Sequence, residues 1–203
     1  MNRELPDRIV VVGIGTDVGK TVVSTVLCRQ FGYDYWKPVQ TGNEASRDTR
    51  FLFSNLPDLK FIPEVYHFQL PASPHLAARE EGKQIEIEKL LLLPPNEKLL
   101  IEMAGGIMVP LNDKGELNID LLQKWNLPVV VVVRHYLGSI NHTLLTLEAL
   151  KSRNVKIAGV VFNGEEYGSS EDIIRKIVPE PDYFRLPQLQ DLREVSSVKI
   201  EKL

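Results

Sequence analysis

The chain has one cysteine, four histidines and no apolar run of membrane-spanning length. Each shortage excludes something. Cys28 alone cannot build an internal disulfide framework or a thiolate metal cluster, and it suits a reducing compartment. His67, His75, His135 and His142 share no element at a metal-ligand spacing. The apolar run 128–133 is far shorter than the ~20 residues that cross a bilayer. The N-terminus carries Arg3, Glu4, Pro6 and Asp7 where a signal peptide needs an apolar stretch. Charge of one sign is scarce too. The 24 Lys and Arg nearly balance 27 Asp and Glu, leaving a net charge of -3. That gives no electrostatic reason to expect nucleic acid or a membrane as partner. The expectation is a cytoplasmic protein.

What is present points to one ordinary globular core. Hydrophobic residues make up 43% and charged residues 25% of 203 positions, which suits a single domain over 1–203. Short β-branched runs alternate with helical patterns. Strands are expected at 9–12, 33–39, 99–102, 129–133, 158–162 and 183–186, with a helix over about 20–31. Ile140, Leu144, Leu147 and Leu150 fall on one helical face, and Ile173, Ile174 and Ile177 mark another. The strand runs do not alternate apolar with polar, so both sheet faces should be covered. The fold class is therefore α/β: a doubly wound, mainly parallel sheet flanked by helices. Residues 55–74 read as loop with one short strand around Tyr66, Cys28 and Trp125 as packing, and 199–202 as a solvated tail.

The segment from Gly13 to Thr21, Gly-Ile-Gly-Thr-Asp-Val-Gly-Lys-Thr, follows the first strand and opens the first helix. This is where a phosphate-binding loop must lie. Backbone N–H groups of a glycine turn and a helix start converge there on phosphate oxygens. Lys20 would neutralise the outer phosphates and the Thr21 hydroxyl would ligate Mg²⁺. The strict pattern asks for glycine at position 14; this chain has Ile14, with Gly13 one residue earlier.

Such a loop needs acids for its metal. Glu102 closes an apolar strand and precedes Ala104-Gly105-Gly106, so it should emerge at the sheet edge where α/β proteins bind ligands. Asp48 is the other candidate. Lys37, after Trp36, is open to two readings: a lysine whose stem lies along the sheet edge, or a second cation facing phosphates or an anionic intermediate.

Together these stretches resemble the dethiobiotin synthetase family of the P-loop NTPase superfamily. The residues that carry the likeness are Thr16-Asp17-Val18-Gly19-Lys20-Thr21, Trp36-Lys37-Pro38-Val39-Gln40-Thr41-Gly42, Ser73-Pro74-His75 and Glu102-Met103-Ala104-Gly105-Gly106. Leu137-Gly138-Ser139-Ile140-Asn141-His142, Gly159 to Asn163 and Leu186-Pro187-Gln188-Leu189 complete the series. The resemblance implies ATP- and Mg²⁺-dependent ring closure of 7,8-diaminononanoate with CO2, through a phosphorylated carbamate, by a homodimer. It also implies roles. Lys37 and Lys20 would be catalytic. Gly13, Thr16, Asp17, Val18, Gly19, Lys20, Thr21, Val22 and Gly105 would enclose the nucleotide. Thr21, Asp48 and Glu102 would hold the metal, and Thr41 the substrate near its amines. Asn163 would read the base beside Pro187, Gln188 and Leu189, while Ser139, Ile140 and Asn141 would bind the substrate tail across a dimer interface. The chain departs from the family at Ile14-Gly15, where Thr-Asp is frequent, and at Asp17, where glutamate is common. It departs again at Met103, which is expected to crowd the phosphate side of its loop.

Overall fold

The computed structural model describes residues 5–43 and 48–203. Among the described residues ten strands and seven α-helices follow one another as β1 (Arg8–Gly13), α1 (Lys20–Phe31), β2 (Asp34–Trp36), β3 (Val39–Thr41), α2 (Asp48–Asn55), β4 (Phe61–Ile62), β5 (Tyr66–Phe68), α3 (Pro74–Glu80), α4 (Ile87–Leu90), β6 (Leu99–Gly106), α5 (Asn118–Trp125), β7 (Val129–Val133), α6 (Ser139–Ser152), β8 (Ile157–Gly164), α7 (Gly168–Ile177), β9 (Tyr183–Pro187) and β10 (Glu201–Lys202), with a 3-10 turn at Leu192–Ser196 before the last strand. Eight strands form one sheet in the order β10-β9-β8-β7-β1-β6-β2-β4, parallel except for β10.

The central strands β1 and β7 are buried on both faces, as their unbroken Val and Ile runs require. The strand order reverses at β1. The chain leaves it through α1 to reach β2 beyond β6, and later returns through α5 to β7 on β1's other side. A crevice opens at the carboxyl ends of β1 and β6, where such a switch of direction places a ligand site.

Four expectations need correction. The strand expected over 33–39 breaks after Trp36, because Pro38 has no N–H for the ladder. Val39–Thr41 pairs instead with β5 as a separate two-stranded sheet, and the Pro38 carbonyl accepts from the Val65 and Tyr66 N–H groups. The stretch 55–74 holds β4 as well as the strand at Tyr66. On α7 only Ile174 turns inward, together with Glu171, while Ile173 and Ile177 are exposed. Ionic partners beneath Glu171 set that rotation: Arg185 pairs with its carboxylate and His135 Nε2 lies 3.2 Å from it.

The C-terminal stretch is not a solvated tail. Ile200 is buried beside Leu27, Phe31 and Phe184. Its N–H donates to Gln30 Oε1 at 3.0 Å and its carbonyl accepts from Gln30 Nε2 at 3.2 Å. β10 then pairs antiparallel with β9 and covers that edge. Trp125 and Cys28 are core residues, and burial pushes the Cys28 thiol well above its ordinary range. Among the described residues no helix is long and apolar enough to cross a membrane.

Candidate active site

The phosphate loop is built by its glycines. Gly13 ends β1 against the side chain of Val18: a Cβ there would stand 2.7 Å from Val18 Cγ2. Asp17 and Gly19 both have positive φ, 58° and 88°, so the chain doubles back twice before α1. A Cβ on Gly19 would also strike Asn163 Nδ2 at 2.0 Å. The first bond of the α1 ladder runs from Val23 N–H to the Gly19 carbonyl. The N–H groups of Lys20, Thr21 and Val22 therefore have no partner within the helix and sit at its positive end.

Thr16, Asp17, Gly19, Lys20, Thr21 and Val22 line one side of a cavity of about 710 Å³. Lys37, Gln40, Thr41 and Asp48 line another, and Glu102, Ala104 and Gly105 the floor. Residues 71–74 and Val109 close it. Strands and helix ends thus bring together side chains that are as many as 93 positions apart in sequence, from Thr16 to Val109.

The charges within are tightly arranged. Thr21 Oγ1 lies 2.6 Å from Asp48 Oδ1 and 2.9 Å from Glu102 Oε1. The Lys37 ammonium pairs with Asp48 and lies 3.5 Å from Glu102 Oε1. Tyr35, wholly buried on β2, donates its hydroxyl to the other Glu102 oxygen at 3.2 Å. Lys20 Nζ donates to the Gly15 carbonyl at 3.0 Å.

Glu102 is 1% exposed and both lysines 7%. Burial lowers the pKa of Lys20, and repulsion from Lys37 adds to this against the pull of Glu102, Asp48 and Asp17. Burial would lower Lys37 too, but Glu102 and Asp48 more than offset it and hold the ammonium above its ordinary value. Tyr35 is held well above its own value by burial and by Glu102, so it remains a donor.

The other site candidates fall in two further places. Asn163, at the end of β8, donates its amide to the Val18 carbonyl at 2.9 Å. The register β8–β9 sets Asn163 opposite Leu186 and Gly164 opposite Pro187, and Gln188 Oε1 comes within 3.2 Å of a Cβ built on Gly164. Asn163, Pro187 and Gln188 thus gather behind the phosphate loop, with Leu189 next in the chain. Ser139, Ile140 and Asn141 begin α6 after Gly138, whose φ is 104°, and they do not line the cavity.

Met103 does not crowd the phosphate side. It alternates away from Glu102 and Ala104 into the core, at 3% exposure. Ile14 is likewise buried. Residues left without a role by sequence reasoning include Tyr35, Gln40 and the 71–74 wall. Ser73-Pro74-His75 was a visible signal for the wall, whereas nothing marks Tyr35 short of its place on β2, the strand paired with Glu102's strand β6.

A glycine turn between strand and helix, with lysine and threonine at the helix start and acids at the sheet edge, defines a P-loop nucleotide-binding protein. A family model described as an AAA domain matches residues 7–196. The fold is shared with a ParA family ATPase of Chlorobium tepidum TLS, at TM-score 0.57 and 15% identity, covering 93% of this chain and 88% of that one. A plasmid partition protein of Borrelia burgdorferi aligns at TM-score 0.54 and 11% identity, over 95% of both chains. Sequence relatives are far nearer. The ATP-dependent dethiobiotin synthetase BioD of Rhodopseudomonas palustris (strain BisB18) is 46% identical over 91% of this chain and 89% of its own. The same-named proteins of Afipia carboxidovorans and Brucella ovis are 45% and 42% identical, over 91% of this chain and 89% and 88% of theirs. The chain belongs to the ATP-dependent dethiobiotin synthetase family.

Proposed function

We propose that this chain is an ATP-dependent dethiobiotin synthetase, working as one unit over 1–203 in the cytoplasm. It takes 7,8-diaminononanoate and CO2 to dethiobiotin, in biotin biosynthesis. The observation that carries the reading is the convergence of Lys20, Thr21, Lys37, Asp48 and Glu102 in one cavity with Thr41 on its wall.

One amine of the diamine adds to CO2 and loses a proton, giving a carbamate. A carbamate oxygen attacks the γ-phosphorus of ATP and ADP leaves. The second amine then attacks the carbamoyl carbon, inorganic phosphate departs with the oxygen, and the ureido ring closes. Most of this barrier yields to positioning and charge neutralisation. The free N–H groups of residues 20–22 and the Lys20 ammonium hold the phosphates. Lys37, kept charged by its carboxylates, balances the anionic acceptor, and Thr41 orients the amine end.

Mg²⁺ fits the donor set. Thr21, Asp48 and Glu102 offer hard oxygen ligands around one point. Among the described residues no group of three or more His, Cys, Asp and Glu could hold a metal by itself. Phosphate oxygens and water would have to complete the shell, which is the habit of Mg²⁺. When bound it supplies charge neutralisation on the transferring phosphoryl group. Asn163, with Pro187, Gln188 and Leu189, reads the base. Ser139, Ile140 and Asn141 bind the tail carboxylate of a substrate seated in the other subunit of a homodimer.

The test is direct. Purified protein with the diamine, labelled bicarbonate, Mg²⁺ and ATP should fix acid-stable label in dethiobiotin and release phosphate only when diamine is present. Phosphate release without ring product, with ATP and with CTP alike, would remove the synthetase reading and leave a nucleotide switch of the partition-ATPase kind.

A further inference from the structure

Lys37 is the side chain of the cavity whose position the proposed chemistry does not explain. An ammonium meant for the acceptor should point at Thr41's side of the cavity. Instead it is paired with Asp48 and lies 3.5 Å from Glu102 Oε1. Those are the two carboxylates that also take the Thr21 hydroxyl, at 2.6 and 2.9 Å. One cluster of three oxygen ligands therefore already holds a cation, and that cation belongs to the protein.

We infer that Lys37 is the resident counter-ion of the metal-ligand set, and that it exchanges with a divalent cation on Asp48 and Glu102. Loading the metal then releases the ammonium to the substrate acid. This inference rests on the reading of Thr21, Asp48 and Glu102 as metal ligands.

The physical grounds are local. Two buried carboxylates need compensation at all times, since an unpaired buried charge is strongly unfavourable. Lys37 is the cation in contact with both, and its side chain is only 8% exposed. A divalent cation would satisfy both carboxylates and repel an ammonium a few ångströms away. The backbone need not move. Trp36 is fixed in β2 and Pro38 has a fixed φ, so the four-carbon stem alone can swing toward the cavity that Lys37 and Thr41 both line. Exchange makes the order of events useful: the ammonium is free to meet the acceptor only when the metal is in place.

The test measures manganese binding by electron paramagnetic resonance, on the whole protein without nucleotide. Lys37→Met should bind Mn²⁺ at least about tenfold more tightly than the parent, because the competing charge is gone. Glu102→Gln should lose Mn²⁺ binding in both backgrounds. Equal Mn²⁺ affinity for parent and Lys37→Met, with Glu102→Gln still deficient, would overturn the exchange and leave the ligand assignment standing. Unimpaired Mn²⁺ binding by Glu102→Gln would overturn the ligand assignment and the exchange with it. Lys37→Met could fold poorly with two uncompensated carboxylates, so the parent carries a second measurement. Reductive methylation of Lys37, followed by peptide mass spectrometry, should accelerate when Mn²⁺ alone is bound. A rate unchanged or slowed by bound Mn²⁺ would refute the release.

Discussion

Two residues outside the charged cluster decide how firmly the site is set. Tyr35 occupies the core side of Glu102 and donates to the oxygen that Thr21 does not use. Tyr35→Phe would leave that oxygen buried without a donor, a loss of about 1–3 kcal/mol. We expect a lower denaturation midpoint together with several-fold weaker Mn²⁺–nucleotide binding, measured by chemical unfolding and calorimetric titration. Weaker folding with unchanged metal binding would make Tyr35 a core residue only. Gly19 is the second. It has φ 88° and lies so close to Asn163 that a methyl group would overlap the amide nitrogen at 2.0 Å. Gly19→Ala adds about 1–2 kcal/mol of backbone strain to that clash. It should raise the KM for nucleotide by ten-fold or more, about 1.4 kcal/mol, because the loop and Asn163 must part. A variant with the parent's KM would show that the loop yields without cost.

At the level of elements, the sequence reveals those parts whose pattern is local. α1 begins and ends where its glycines and periodicity place it, and β7 coincides with its valine run. The crossing to a second small sheet after Trp36 was not legible, because Pro38 says where a strand stops but not which partner the next one finds. The same limit hid the rotation of α7. Ile173, Ile174 and Ile177 look alike in sequence, but only tertiary contacts reveal that Glu171 is drawn inward to Arg185 and His135. The lysines, carboxylates and loop glycines were readable because phosphate and metal chemistry admit few substitutes. Tyr35 was not, since its role lies in strand register.

The His135–Glu171–Arg185 contact has a consequence at this level, for it ties the end of β7 to α7 and β9. Burial lowers the His135 pKa below 6.5, with Glu171 opposing and Arg185 assisting. In the unfolded chain this histidine takes its proton near 6.5, while in the folded one it does so only at lower pH. The unfolded state thus binds more protons below 6.5, and stability falls as the pH drops from there toward the folded value. Urea midpoints collected from pH 7.5 down to 5.5 should decline less steeply for His135→Gln than for the parent. Parallel declines would assign the acid sensitivity to other groups.

For the whole molecule, the open question is what completes the cavity. The start of α6 presents N–H groups suited to an anion, yet Ser139, Ile140 and Asn141 lie outside the cavity of their own chain. Around them lie several exposed apolar side chains. Leu137 is fully exposed, and Tyr136 and Leu145 are exposed as well, while Tyr136 is braced by a 2.7 Å contact to His142 Nδ1. Large apolar side chains beside that helix start suit a contact with a second copy, which would carry each helix start toward its neighbour's substrate. Leu137→Asp with Leu145→Glu should therefore yield monomers by light scattering. In those monomers the KM for the diamine should rise by about ten-fold or more, while ATP affinity, whose proposed contacts all lie within one chain, stays near that of the parent. Monomers that keep the parent's diamine KM would confine the substrate to a single chain, and the start of α6 would then serve folding alone.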